Sequence, residues 1–93
     1  NGETAKEMLA GMTEDELADT IYQFGEERMS RRIARSIKQM ELDGALNSTA
    51  DLAVAVRKVV RKKPGKSDPA TKTFQAIRIA VNKEMDELQA VLD

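Results

Sequence analysis

Four stretches of this chain carry helix-start chemistry, and they leave little room for anything but helices. Thr4-Ala5-Lys6-Glu7 and Thr13-Glu14-Asp15-Glu16 both read as capping boxes. In each, the threonine hydroxyl serves the third amide of the helix while the glutamate reaches back to the capping amide. Ser48-Thr49-Ala50-Asp51 is a weaker version. Asp68-Pro69 sets an N-cap acid before a proline at the first helical position. Breaks fall at Gly11, Gly25, Gly44 and Lys63-Pro64-Gly65-Lys66-Ser67. The chain therefore predicts five helices, over about 4–10, 14–23, 26–43, 49–62 and 69–92. Gly25 is expected to end the second helix, with Glu26 and Glu27 in the first turn of the third, where acids favour the helix dipole. No segment alternates as a strand does, and no internal repeat appears.

Apolar residues recur at helical spacing in each long segment. Met29, Ile33, Ile37 and Met40 share one face of the third helix. Leu52, Val56, Val59 and Val60 do so in the fourth, and Phe74, Ile77, Val81, Met85, Leu88 and Leu92 in the fifth. These stripes read as core. Short loops between such helices imply an all-α fold. The expectation is one domain over 1–93, a compact bundle of about five helices in crossed hairpins with a long C-terminal helix. The acidic second half of that helix is expected to project and pack on something outside this chain. Only Tyr22, Phe24 and Phe74 are aromatic, so aliphatic side chains must build the core.

The net charge of −1 hides a strong asymmetry. Residues 1–27 carry one base against eight acids, residues 28–83 fourteen bases against four acids, and residues 84–93 four acids alone. A basic middle in a near-neutral chain points to one polyanion-binding face or to mutual neutralisation on folding. Arg28, Arg31, Arg35 and Lys38 line up on the third helix opposite its apolar stripe, with Arg32 beside them. Guanidinium forks suit phosphate, so this row reads as a backbone-phosphate track. Arg57, Lys58, Arg61, Lys62, Lys63 and Lys66 form a second cluster running into the Pro-Gly loop, read as a mobile tether. The competing reading is a solvated face in which Glu26 and Glu27 pair some arginines. Aromatic interleaving is missing, which argues against a self-sufficient single-strand binder.

Other chemistries find no residues here. The chain has no histidine and no cysteine, so it lacks the commonest general base, metal ligand and disulfide partner. No glycine-rich phosphate loop follows a strand. No apolar run approaches membrane-spanning length and no signal peptide is recognised. Beginning at Asn1, the chain reads as an excised piece or a processed product. It reads as a recognition module without catalytic activity of its own.

Two long stretches carry a resemblance. QFGEERMSRRIARSI, residues 23–37, resembles YGEERFARRIARAI. DPATKTFQAIRIAVNKEMDEL, residues 68–88, resembles HPATRTFQALRIAVNDEL. Both are signatures of the RsmH (MraW) family, S-adenosyl-L-methionine-dependent methyltransferases that modify the exocyclic amine of a cytidine in small-subunit ribosomal RNA. TEDELADTIYQF and NSTADLAVAVRKVV fit the family in order and spacing, so the resemblance covers nearly the whole chain. It implies a helical insert, with a SAM-domain-like arrangement of crossed hairpins, taken from a Rossmann-like catalytic domain. The S-adenosyl-L-methionine site and catalytic groups would lie outside this chain, which would hold no cofactor. Asp68 stands where the family commonly has histidine, and Lys72 where arginine is common. These departures imply a divergent branch.

The resemblance also implies roles. Arg28, Arg31, Arg32, Arg35, Lys38 and Lys72 would grip RNA phosphates, with Lys62, Lys63 and Lys66 as a looser tether. Gln75, Arg78 and Asn82 lie off the apolar stripe of the last helix and would meet the catalytic domain or RNA near the cytidine pocket. Alternatively Arg78 pairs locally, with Glu84 or the acidic first helices. In the parent, the unstacked cytidine amine would attack the methyl group in line. The implied partners are small-subunit ribosomal RNA and the catalytic domain, in a bacterial cytoplasm or an organellar matrix or stroma, with no membrane. The alternative is a protein-interaction or homodimerisation module, using Met85, Leu88, Val91 and Leu92 and binding no RNA.

Overall fold

The structure, a computed structural model, describes residues 5–61, 63–66 and 68–92, with the side chains of 5, 6, 8 and 84–92 left aside. Five helices follow in order: α1 (Ala5–Gly11), α2 (Glu14–Gly25), α3 (Ser30–Leu42), α4 (Thr49–Arg57) and α5 (Pro69–Leu92). Among the described residues there is no strand. The all-α expectation holds. Thr4, Lys62 and Ser67 lie outside the described residues, as do the side chains of Glu84, Met85, Leu88, Val91 and Leu92.

Local chemistry sets three of the starts. At α2 the Thr13 hydroxyl accepts from the Glu16 amide at 3.1 Å, and the Thr13 amide donates to the Glu16 carboxylate at 2.9 Å. At α4 the Ser48 hydroxyl accepts from the Asp51 amide at 3.2 Å, and the Asp51 carboxylate accepts from the Asn47 amide at 2.9 Å. At α5 the Asp68 carboxylate accepts from the Ala70 amide at 3.0 Å, ahead of Pro69 at the first helical position. Each is a side chain serving an amide that the helix itself leaves unpaired.

The α2–α3 junction departs from expectation. Gly25 is still helical, and the left-handed closing residue is Glu26, at φ 52°. Its amide donates to the Tyr22 carbonyl. The Glu27 carboxylate then accepts from the Met29 amide at 3.0 Å. Residues 26–29 are spent on this turn, so α3 begins at Ser30, and Glu26 and Glu27 are not in its first turn. Gly25 is needed for a different reason: a Cβ there would sit 2.9 Å from the Lys72 backbone oxygen and 3.3 Å from the Ala76 Cβ. The glycine lets α2 and α5 approach closely.

α4 also ends sooner than its apolar period implies. Beyond Arg57, the Val59 and Val60 amides both donate to the Val56 carbonyl, closing a turn in place of further α-helix. Val59 and Val60 remain half-buried against the core. The Lys63-Pro64-Gly65-Lys66 loop forms a hydrogen-bonded turn, Lys66 amide to Lys63 carbonyl at 3.0 Å, with Gly65 at φ 75°. Proline then glycine is the pairing such a turn favours.

The main contacts close a ring: α2 packs on α5 and α3, α3 on α4, and α4 on α5. Leu17, Ile21, Ile33, Ile37 and Val56 fill its centre, fully buried. α1 rests on α5, with Leu9 in the core. The radius of gyration, 13.3 Å, matches that of a folded domain of this size.

Candidate nucleic-acid interface

The core face of α3 determines what the rest of the helix can offer. Ile33, Ala34, Ile37 and Met40 are buried, so Arg31, Arg32 and Arg35 emerge on the opposite side, all exposed. Arg28 is exposed in the turn just before the helix. The row is thus three helical arginines continued by one from the loop.

Lys38 does not join it. Its ammonium is half-buried, donates to the Leu9 carbonyl and pairs with Glu41 at 3.1 Å. Leu9 lies in the last turn of α1, where a cation is favoured. Lys38 ties α1 to α3, and phosphate would have to compete with both partners.

Two further arginines have acidic neighbours, though not the expected ones. Arg31 lies 3.6 Å from Asp15, and Arg35 lies 3.8 Å from Glu14, both acids of the first turn of α2. Arg31 and Arg35 keep 77% and 79% of their side-chain surface exposed. Exposed pairs this loose contribute about 0–1 kcal/mol each. Both guanidiniums keep most of their donors open to solvent. Among the described residues no ion pair engages Arg28 or Arg32.

An open groove runs along each side of this ridge. One, of about 440 Å³, lies between α2 and the start of α3 and is lined by Asp19, Tyr22, Arg28, Arg31 and Arg32. The other, of about 410 Å³, lies between α3 and the end of α4 and is lined by Arg32, Arg35, Gln39, Asp43 and Lys58. Arg32 borders both. Folding thus brings Lys58, from the second sequence cluster, beside the first.

The rest of that second cluster is placed differently. Arg57 pairs with Asp68, joining the end of α4 to the cap of α5. The hydrogen bond and charge of Asp68 hold the Arg57 guanidinium above its ordinary pKa. Lys63 and Lys66 are exposed at the two ends of the hydrogen-bonded Pro-Gly turn. Lys62 lies outside the described residues.

On α5, Lys72, Gln75, Arg78 and Asn82 are exposed on one face, opposite buried Thr73, Ala76, Ile77 and Ala80. Ile79 sits among them, 40% exposed. Lys83 lies 5.2 Å from the Phe24 ring centroid, a cation–π contact between α5 and α2. The Lys72 backbone presses on Gly25, three residues from Arg28.

A family model described as the MraW methylase family matches residues 1–93. The chain belongs to the MraW methylase family. Among its relatives is "Ribosomal RNA small subunit methyltransferase H" of Sorangium cellulosum, 55% identical over 93 residues, covering 99% of this chain and 30% of that protein. Proteins of the same name from Rhodopseudomonas palustris and Acinetobacter baylyi are 50% and 53% identical, covering 100% and 98% of this chain and 28% and 29% of theirs. The chain spans less than a third of the length of these curated relatives.

The two stretches that resemble MraW signatures meet in the fold. The first runs from the end of α2 along α3 and the second forms α5, and they touch where Gly25 abuts Lys72 and Ala76. Asp68 caps α5 and holds Arg57.

One site residue escaped the sequence reading. Tyr22 is 62% exposed and lines the first groove with Arg28, Arg31 and Arg32. Aromatic interleaving, absent along the chain, is supplied by the neighbouring helix. Its signal was periodic: Tyr22 falls on the polar face of α2 with Asp15 and Asp19, off the Leu17–Ala18–Ile21 stripe.

Proposed function

We propose that this chain is the substrate-recognition insert of an S-adenosyl-L-methionine-dependent methyltransferase that modifies a cytidine amine of small-subunit ribosomal RNA. Arg28, Arg31, Arg32 and Arg35 grip backbone phosphates, with Lys58 across the second groove and Lys63, Lys66 and Lys72 as outer contacts. The observation that carries the reading is the α3 ridge, exposed arginines between two open grooves, in a chain whose relatives are named for ribosomal RNA methylation. Guanidiniums on a rigid helix suit a phosphate backbone, because the fork geometry is fixed before contact.

The methyl donor is assigned to the remainder of the parent protein. The described residues include no strand–turn–helix cradle for a nucleotide-like cofactor. No step of methyl transfer is therefore placed on this chain. Its contribution is to hold and orient RNA while the target base is unstacked. Gln75, Arg78 and Asn82 give α5 a polar face around Ile79, of the mixed kind that meets another domain or RNA at its edge. Such an enzyme works where ribosomal subunits mature, in a bacterial cytoplasm or an organellar matrix or stroma.

The test is binding at low salt to a stem-loop from the decoding region of small-subunit ribosomal RNA, against an unrelated hairpin. The chain binds, and Arg31→Glu with Arg35→Glu abolishes binding while far-UV circular dichroism is unchanged. Failure of the unaltered chain to bind either RNA would remove RNA recognition from this domain.

A further inference from the structure

The groove between α2 and α3 combines features that a phosphate track alone does not require. Tyr22 is the only tyrosine, and most of its surface faces solvent. Its ring offers a flat apolar face and a polar hydroxyl at the surface. It lines an open groove together with Asp19, one turn before it on α2, and with Arg28, Arg31 and Arg32. The mixture has a polarity. The carboxylate of Asp19 repels phosphate and accepts hydrogen bonds only. The arginines attract phosphate. The aromatic ring offers a flat apolar face beside both.

We propose that this groove is a subsite for one unpaired nucleotide of an RNA strand. Its base stacks on Tyr22, its flanking phosphates lie against Arg28 and Arg32, and an amino group on the base edge faces Asp19. The proposal rests on the RNA-binding reading above and adds a residue and a contact mode to it. An open groove of about 440 Å³ accommodates a base and its sugar without rearrangement of the core. Stacking is compatible with any base because each has a π-face, whereas the Asp19 carboxylate favours cytosine or adenine, which present an amine, over uracil.

The chain provides its own reporter. It contains one tyrosine and no tryptophan, so emission excited beyond the absorption of its two phenylalanines comes from Tyr22 alone. Titration with single-stranded oligocytidylate hexamer should quench that emission, at concentrations that match binding followed by anisotropy of a labelled hexamer. Tyr22→Ala should weaken binding on the order of tenfold or more, and Tyr22→Phe should retain it, because the ring and not the hydroxyl stacks. Oligouridylate should bind more weakly, and Asp19→Ala should remove that difference. Anisotropy showing salt-sensitive binding with unquenched Tyr22, and with Tyr22→Ala equal to the unaltered chain, overturns the nucleotide subsite and leaves the RNA reading standing. Absence of any RNA binding overturns both. Exposure of Tyr22 makes the alanine variant safe for folding, which thermal unfolding of each variant checks.

Discussion

At the scale of single residues, two positions that hydropathy would not single out set part of the stability, one favourably and one at a cost. Gly25 is the contact point of α2 and α5, with the Lys72 carbonyl where its side chain would be. Backbone cannot yield as a flexible side chain does. Gly25→Ala should therefore destabilise by about 1–3 kcal/mol despite alanine's better helix propensity, read by urea unfolding. The second is Thr73, fully buried on α5 with its hydroxyl lacking a hydrogen-bond partner. Thr73→Val keeps the shape and removes the unpaired group. It should raise stability by about 1 kcal/mol in the same assay, and a loss would show that the hydroxyl is served. Neither role could be read from sequence. Gly25 looks like an ordinary helix stop, and the left-handed turn falls instead on Glu26, a residue type that seldom adopts it.

Helix starts, at the scale of elements, were legible because a cap is local. Thr13, Ser48 and Asp68 each serve amides within three residues, and the structure forms those bonds. Helix ends were less so. The Val59-Val60 pair prolongs the apolar period of α4 through a turn that is no longer α-helix. The capping box of α2 has a pH signature. The hydrogen bond from the Thr13 amide, then that of its hydroxyl, holds the Glu16 carboxyl below its ordinary pKa of 4.5. A depressed carboxyl stabilises the fold above its unfolded value and loses that contribution as pH falls through the folded one. Stability should thus decline below about pH 4.5 more steeply in the unaltered chain than in Glu16→Gln, whose amide does not titrate. Parallel curves from urea unfolding at pH 7, 4 and 3 would show that the carboxylate does not contribute.

For the whole molecule, the question is how fourteen bases between residues 28 and 83 are distributed once folded. Along the chain most of them fall into one row at α3 and one cluster after it. The fold removes Lys38 into the α1–α3 contact and Arg57 into the α4–α5 junction, and it adds Lys58 and Tyr22 to the α3 ridge. The partner of Lys38 was illegible because it is distant in the chain, Leu9 lying 29 residues away. Asp68 is 11 residues from Arg57 and Tyr22 close to Arg28, so those two needed the path of the turns between helices. Such sorting separates bases that hold the fold from bases that remain available. Lys38→Met should loosen α1, seen as faster amide exchange there, without altering the salt dependence of RNA binding. Arg32 borders both grooves, and its removal should change that dependence.

The most direct test of the account is the slope of log affinity for single-stranded RNA against log salt concentration, measured for the unaltered chain, Arg32→Ala and Lys38→Met. Each phosphate contact on a single strand adds about 0.7 to the slope. The slope should fall by about that amount in Arg32→Ala and stay unchanged in Lys38→Met. Equal slopes for the unaltered chain and Arg32→Ala would contradict this expectation, because the α3 ridge would then not touch the RNA backbone.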